Sequence, residues 1–167
     1  MTRKCRTRCE HMLRQTSESF PEIDSPGMRF IARLFRLRDV IFENAQREMA
    51  EFELSPAEYS VLATLRKTPA PHRLKPSDIY KGMLLSSGGL SKVLKTLEER
   101  GLVLREDDRD DRRGSLVRLS PAGVELSERA MKAVIGSDIA MLNRVADTAR
   151  LDALAEALKP FTESLDR

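Results

Sequence analysis

Residues Leu90 to Gly123 read LSKVLKTLEERGLVLREDDRDDRRGSLVRLSPAG. Leu90, Val93, Leu94 and Leu97 recur at offsets of three and four, which is one apolar face of a helix. Gly101 is a helix stop, because glycine enters the left-handed conformation that ends helices without a Cβ penalty. Two short β-leaning runs follow, LVLR (102–105) and SLVRL (115–119). Between them lies EDDRDDRRG, nine residues of which eight are charged, and two strands joined by a charged tip make a hairpin, or wing. Ser120-Pro121 then restarts a helix, with serine as the N-cap and proline at the first helical position. Helix, two-stranded ribbon, helix is the second half of a winged helix-turn-helix.

The first half is legible upstream. Ser55-Pro56-Ala57-Glu58 is a capping box that starts a helix carrying Tyr59, Leu62 and Leu65. TPAPHRL (68–74) has no periodicity and reads as a loop. Pro76 starts a short helix with Ile79 and Tyr80, closed by Gly82. Then comes SSGGLSK (86–92), in which two glycines precede the apolar stripe, each costing about 1 kcal/mol inside a helix relative to alanine. Gly88 falls on the outward face, where a missing side chain admits close approach of a groove. Gly89 falls nearer the inner side, where a close helix crossing is the expected reason.

Longer helices flank this lobe. Ser25-Pro26 opens one that runs to about residue 52, with Ile31, Leu34, Phe35, Ile41, Phe42, Ala45, Met49 and Phe52 at helical spacing. Leu37 and Val40 widen its apolar face beyond what one neighbour needs, as in helices that pack on a second chain. Downstream, one helix starts at Ser120-Pro121 with Leu126, Ala130, Val134 and Met141. Another starts near Thr148 with Leu151, Leu154, Leu158 and Phe161. A short amphipathic helix fits residues 8–20. The expected fold is mainly α with a small β-wing. A winged helix-turn-helix lobe spans 54–119, dimerisation helices span 25–53 and 120–167, and residues 1–24 form a basic N-terminal extension.

Charge follows the same division. The net charge of +3 is made of +4 over residues 1–14, −4 over 15–65, +5 over 66–118 and −2 over 119–167. A basic middle between acidic flanks suits a lobe that faces a polyanion. With Leu90, Val93, Leu94 and Leu97 inward, the outward face holds Gly88, Ser91, Lys92 and Lys95, joined at the helix start by Ser86 and Ser87. Serines reach phosphates or base edges and lysines reach phosphate or guanine. Lys75 and Ser77, at the start of the short helix, are candidate phosphate anchors.

The sequence shows no glycine-rich phosphate loop, no H-E-x-x-H and no G-x-S-x-G, so an enzyme is not expected. Nothing calls for a cofactor or a metal: Cys5, Cys9 and His11 make C-x3-C-x-H, a poor zinc pattern without a fourth ligand. No apolar run approaches the roughly 20 residues of a membrane helix, and no secretory apolar stretch follows the basic N-terminus. The expectation is a cytoplasmic protein with no membrane role.

At this point the chain resembles the MarR family of transcriptional regulators. DRRGSLVRLSPAG (111–123) is similar to the family's wing signature, an Asp, an Arg two residues on, a strand, then Leu-Ser and a Gly. LSKVLKTLEERGLVLR (90–105) resembles its recognition helix and first wing strand, and LSPAEYSVLATL (54–65) the helix before them. The N-terminal extension is similar to that of a subgroup with an extra helix. The resemblance implies a homodimer on a palindromic operator in double-stranded DNA, with recognition helices in the major groove and wings at the minor groove. It implies repression, relieved by a small aromatic or anionic effector. Arg113, beside Arg112 at the tip, matches the arginine that enters the minor groove, and Asp111 the aspartate that braces the wing. Arg29, Phe30, Arg33 and Asp78 are the candidate effector contacts, in a pocket between the first long helix and the helices at 55–67 and 120–145. Urate-type sensors with the extension use a tryptophan, which this chain lacks. Two alternatives stand beside this reading: a redox-responsive DNA-binding regulator using Cys5 and Cys9, and a winged-helix protein-interaction module.

Overall fold

Three serine-proline pairs start three of the helices in the same way. In each, the serine hydroxyl accepts the backbone N–H three residues on: Met28 to Ser25 at 3.2 Å, Glu58 to Ser55 at 3.3 Å and Gly123 to Ser120 at 3.0 Å. The hydroxyl satisfies an N–H that the first turn leaves without a partner, and the proline gives up none. These bonds are seen in a computed structural model of the chain, which describes residues 8–81, 89–107 and 115–165. The elements in order are α1 (Arg8–Ser19), a 3-10 turn (Pro21–Ile23), α2 (Pro26–Glu51), α3 (Pro56–Arg66), β1 (Arg73–Leu74) and α4 (Pro76–Lys81). There follow α5 (Leu90–Glu99), β2 (Val103–Asp107), β3 (Ser115–Leu119), α6 (Pro121–Leu142) and α7 (Thr148–Leu165).

The chain forms two compact units that divide within α2, after Asn44. In the first, α1 buries Cys9 and Leu13, one turn apart on one face. The Cys9 thiol donates to the Ala32 carbonyl at 3.7 Å, and the Arg33 guanidinium meets the Glu10 carboxylate at 3.1 Å.

The second unit holds the main core. Val61, Leu62 and Leu65 of α3 meet Ile79 of α4 and Leu94 and Leu97 of α5. Val103, Val117 and Leu119 of the sheet and Ala130 and Val134 of α6 complete it. Fully burying one such leucine is worth about 1.5–3 kcal/mol, and the stripe expected along α5 is the one that goes inside. The sheet is antiparallel in the order β1-β3-β2. Val103 lies opposite Leu119 and Asp107 opposite Ser115.

Residues 68–74 differ from the expected loop. Arg73 and Leu74 pair with Arg118 and Val117, so the ribbon gains a third strand. The Leu119 N–H donates to the His72 carbonyl at 3.2 Å, and the His72 ring nitrogen Nδ1 lies 2.6 Å from the Thr68 carbonyl. Only partners some 45 positions further along the chain make this a strand, and two residues carry no alternation of their own.

Candidate nucleic-acid interface

Both α4 and α5 pack against α3, while β2 and β3 run on from α5 as a two-stranded ribbon. Helix α5 therefore has its apolar stripe fixed, and its other face is open. Ser91, Lys92 and Lys95 are exposed, and Lys95 lies 3.7 Å from Glu99 one turn on. Ser77 is exposed on the first turn of α4, and Lys75 stands just before it, partly buried. Ser86, Ser87, Gly88, Asp111, Arg112 and Arg113 lie outside the described residues.

The two ends of α5 are built differently. It starts at Leu90 with Gly89 as the N-cap, at φ 103° and with no side-chain cap. Among the described residues, a Cβ added there would meet nothing within 4 Å. The expected close crossing is therefore wrong: Gly89 is needed for its left-handed backbone, not for space. At the other end the Gly101 N–H donates to Glu98 at 2.9 Å and the Leu102 N–H to Leu97 at 2.9 Å. With Gly101 at φ 69°, this is a Schellman motif, and Leu97 and Leu102 both enter the core beside it.

A clasp then joins this end to α6. The Ser120 hydroxyl donates to the Gly101 carbonyl at 2.6 Å, and the Ser120 N–H to the Leu102 carbonyl at 3.0 Å. Gly123 packs on that same carbonyl so closely that a Cβ would stand 2.0 Å from its oxygen. The glycine of the wing signature is thus a steric requirement.

Several basic residues near the ribbon are held by acids. Arg105 donates to Glu98 at 3.3 Å, and Arg118 donates to Glu106 at 2.6 Å. Arg100 carries no local sequence signal, yet its Nη1 donates to the Glu53 carbonyl at 2.9 Å and to Glu58 Oε1 at 3.1 Å. Glu58 Oε2 accepts from the Ser55 N–H at 2.8 Å and its hydroxyl at 2.6 Å. Burial alone would raise the Glu58 carboxyl. The bonds from the Ser55 hydroxyl and backbone, then those from Arg100 and its charge, outweigh burial and hold it below its ordinary value of 4.5. The capping box is the available signal for Glu58, but nothing local points to a partner 42 residues away.

Arg29 is paired with Asp24 and Arg33 with Glu10, both within the first unit, where Phe30 is also exposed. Asp78, in the second unit, pairs with Lys81 at 3.3 Å. A groove of about 660 Å³ lies between the end of α3 and α6. Met131, Ile135 and Ile139 give it apolar walls, and Arg66, Lys67 and Lys132 give it positive charge. Arg66 Nη2 lies 2.5 Å from Glu128 Oε1 there. That hydrogen bond first, and the Arg66 charge second, lower the Glu128 carboxyl. Cys9 is buried, and Cys5 lies outside the described residues. Among the described residues no cluster of His, Cys, Asp or Glu could hold a metal ion, and no helix is long and apolar enough to cross a membrane.

Residues 52–114, from the end of α2 into the ribbon, match the model of the MarR family. The chain is 28% identical over 121 residues to the HTH-type transcriptional regulator PecS of Dickeya dadantii (strain 3937), across 72% of this chain and 73% of that one.

Over that lobe the chain matches the MarR family. Its fold is similar to that of AbsC, a MarR family transcriptional regulator from Streptomyces coelicolor. The TM-score is 0.71 at 23% identity, covering 85% of this chain and 96% of AbsC. It is also similar to the transcriptional repressor CouR bound to a 23-mer DNA duplex. There the TM-score is 0.68 at 25% identity, covering 89% of this chain and 95% of CouR. With this match over its winged-helix lobe, the chain is a DNA-binding transcriptional regulator.

Proposed function

We propose that the protein acts in the cytoplasm as a homodimeric repressor whose α5 enters the major groove of a palindromic operator and whose ribbon tip reaches the minor groove. The observation that carries this reading is the division of α5. Its apolar stripe is locked in the core, while Ser91, Lys92 and Lys95 stand exposed on the other face. Ser86, Ser87 and Gly88 at its start, Arg112 and Arg113 at the tip, and Lys75 and Ser77 beside α4 extend the DNA-facing surface, with Asp111 bracing the wing. Dimerisation is supported by apolar side chains that the single chain leaves open. Ile31, Phe35 and Leu37 are exposed on α2, and Leu154 and Leu165 on α7, which has no buried residue.

Measurement of binding against salt tests the α5 assignment. Removing one lysine that neutralises a phosphate should reduce the log–log salt slope by about 0.9. Lys92→Ala and Lys95→Ala should each flatten it, and an unchanged slope in both variants removes this face from the interface.

The release of repression fits the groove between α3 and α6, whose apolar walls and net positive lining (Arg66, Lys67 and Lys132 against Glu128) suit an aromatic or aliphatic monoanion. Thermal-shift screening with small aromatic acids checks this. A ligand that prefers the folded state raises the melting temperature, and Arg66→Ala should diminish that shift.

A further inference from the structure

We infer that Arg100 is the positioning residue of DNA recognition: without touching DNA, it sets the pose of α5 by tying that helix's last turn to the corner between α2 and α3. The inference rests on the reading of α5 as the groove-entering helix.

The corner is an unusual piece of backbone. Helix α2 ends as the Glu53 N–H donates to Ala50 at 2.9 Å and the Leu54 N–H to Met49 at 3.0 Å. Glu53 itself takes φ 54°, a left-handed conformation that a residue with a Cβ adopts only when its surroundings hold it there. Two residues later Ser55 caps α3. The Arg100 guanidinium bridges both sides of this corner from one nitrogen, to the Glu53 carbonyl 47 residues away and to the Glu58 carboxylate 42 residues away. The Glu58 side chain is 11% exposed and that of Arg100 29%, so the bridge to Glu58 is partly shielded from water.

The ion pairs of Lys95, Glu98 and Glu99 on α5 are local. Lys95 pairs with Glu99 on the same helix, and Glu98 with Arg105 on the strand that follows. The apolar stripe keeps α5 on the core but resists sliding and tilting poorly, because apolar packing is non-directional. The hydrogen bonds of Arg100 are directional. A ten-residue helix is about 15 Å long, so a tilt of about 10° at the Arg100 end moves Ser91 and Lys92 by about 2–3 Å. Base-edge hydrogen bonds do not survive such a displacement, whereas lysine reach to phosphate does. Loss of the staple should therefore erode sequence discrimination and spare nonspecific attraction.

The test uses a duplex selected by the full-length wild-type protein from a random-sequence pool, and a shuffled duplex of equal length and composition. Affinities are measured at a temperature where circular dichroism shows each variant fully folded. Arg100→Met, which keeps the apolar stem, should lose threefold or more of the selected-to-shuffled affinity ratio. Its affinity and salt slope on the shuffled duplex should stay at wild-type values. A smaller loss of ratio overturns the inference. So does a salt slope reduced by about one, which would make Arg100 a phosphate ligand. Glu58→Gln should lose discrimination in the same way, and keeps the inference testable if Arg100→Met does not fold. The double variant should be no worse than the weaker single one, and additive losses overturn the coupling. Failure of the wild-type protein itself to distinguish the two duplexes overturns the reading of α5 and this inference with it. Discrimination retained in the folded variants overturns the inference alone.

Discussion

Gly89, Gly101 and Gly123 answer three different demands with one residue type. Gly89 and Gly101 sit at positive φ with no described neighbour within reach of a Cβ, so a side chain there costs the conformational penalty of about 1–2 kcal/mol and meets none of the described residues. Gly123 has ordinary helical backbone, and its constraint is the Leu102 carbonyl. That carbonyl accepts the Ser120 N–H and belongs to a chain segment pinned in the core, so it has little freedom to move. Gly123→Ala should therefore destabilise the protein by about 3 kcal/mol, the upper end of what overpacking costs, as read by thermal denaturation. A loss under about 1 kcal/mol would mean that the corner between α5, β2 and α6 yields more easily than its hydrogen bonds suggest. All three glycines are visible in the sequence, and the helix stop at Gly101 is legible there. The steric role that spacing suggests for Gly89 belongs instead to Gly123, because spacing along a helix reports neither φ nor the approach of a distant carbonyl.

Where α2, α3 and α5 meet, the charge on Glu58 sets a pH dependence. The carboxyl titrates lower in the folded chain than its ordinary value of 4.5, so the folded state favours its ionised form. Its stabilisation is present in full above that value and is lost as pH falls through the lower, folded one. Glu58→Gln should lower stability by about 1–3 kcal/mol at neutral pH, the range for a buried polar group deprived of its charged partner. The gap to wild type should close below about pH 4.5 as the wild-type carboxyl is protonated. Denaturant titrations at pH 7 and pH 3.5 check this, and a gap of equal size at both would deny the carboxylate its role. Elements that announce themselves locally are legible in the sequence. The Ser-Pro starts, the apolar stripe of α5 and the charged tip between two strands each occupy a few consecutive residues. Strand β1, the partner of Arg105 and the reach of Arg100 are not legible, because each exists only through residues brought together by the finished fold. At the interface, exposure of Ser91, Lys92 and Lys95 follows from the same helical period that buries their neighbours.

For the whole molecule, the main feature is the apolar surface that a single chain leaves open. Phe35 is 63% exposed in the middle of α2, where Ile31 and Leu37 are also open. Exposed apolar patches of this kind on long helices mark association surfaces. Phe35→Glu should shift sedimentation from the proposed dimer towards the monomer at micromolar concentration, and weaken DNA binding with it, since two linked half-sites bind far better than one. An unchanged sedimentation coefficient would place the dimer interface elsewhere. The clasp between Ser120 and Gly101 bears on how the chain reaches this state. It joins residues only 19 apart, and so short a closure orders little chain before its hydrogen bonds form. The end of α5, the ribbon and the start of α6 form the segment best suited to assemble early. Substitutions in that segment should then slow refolding, while those at the long-range Arg100 bridge should mainly hasten unfolding.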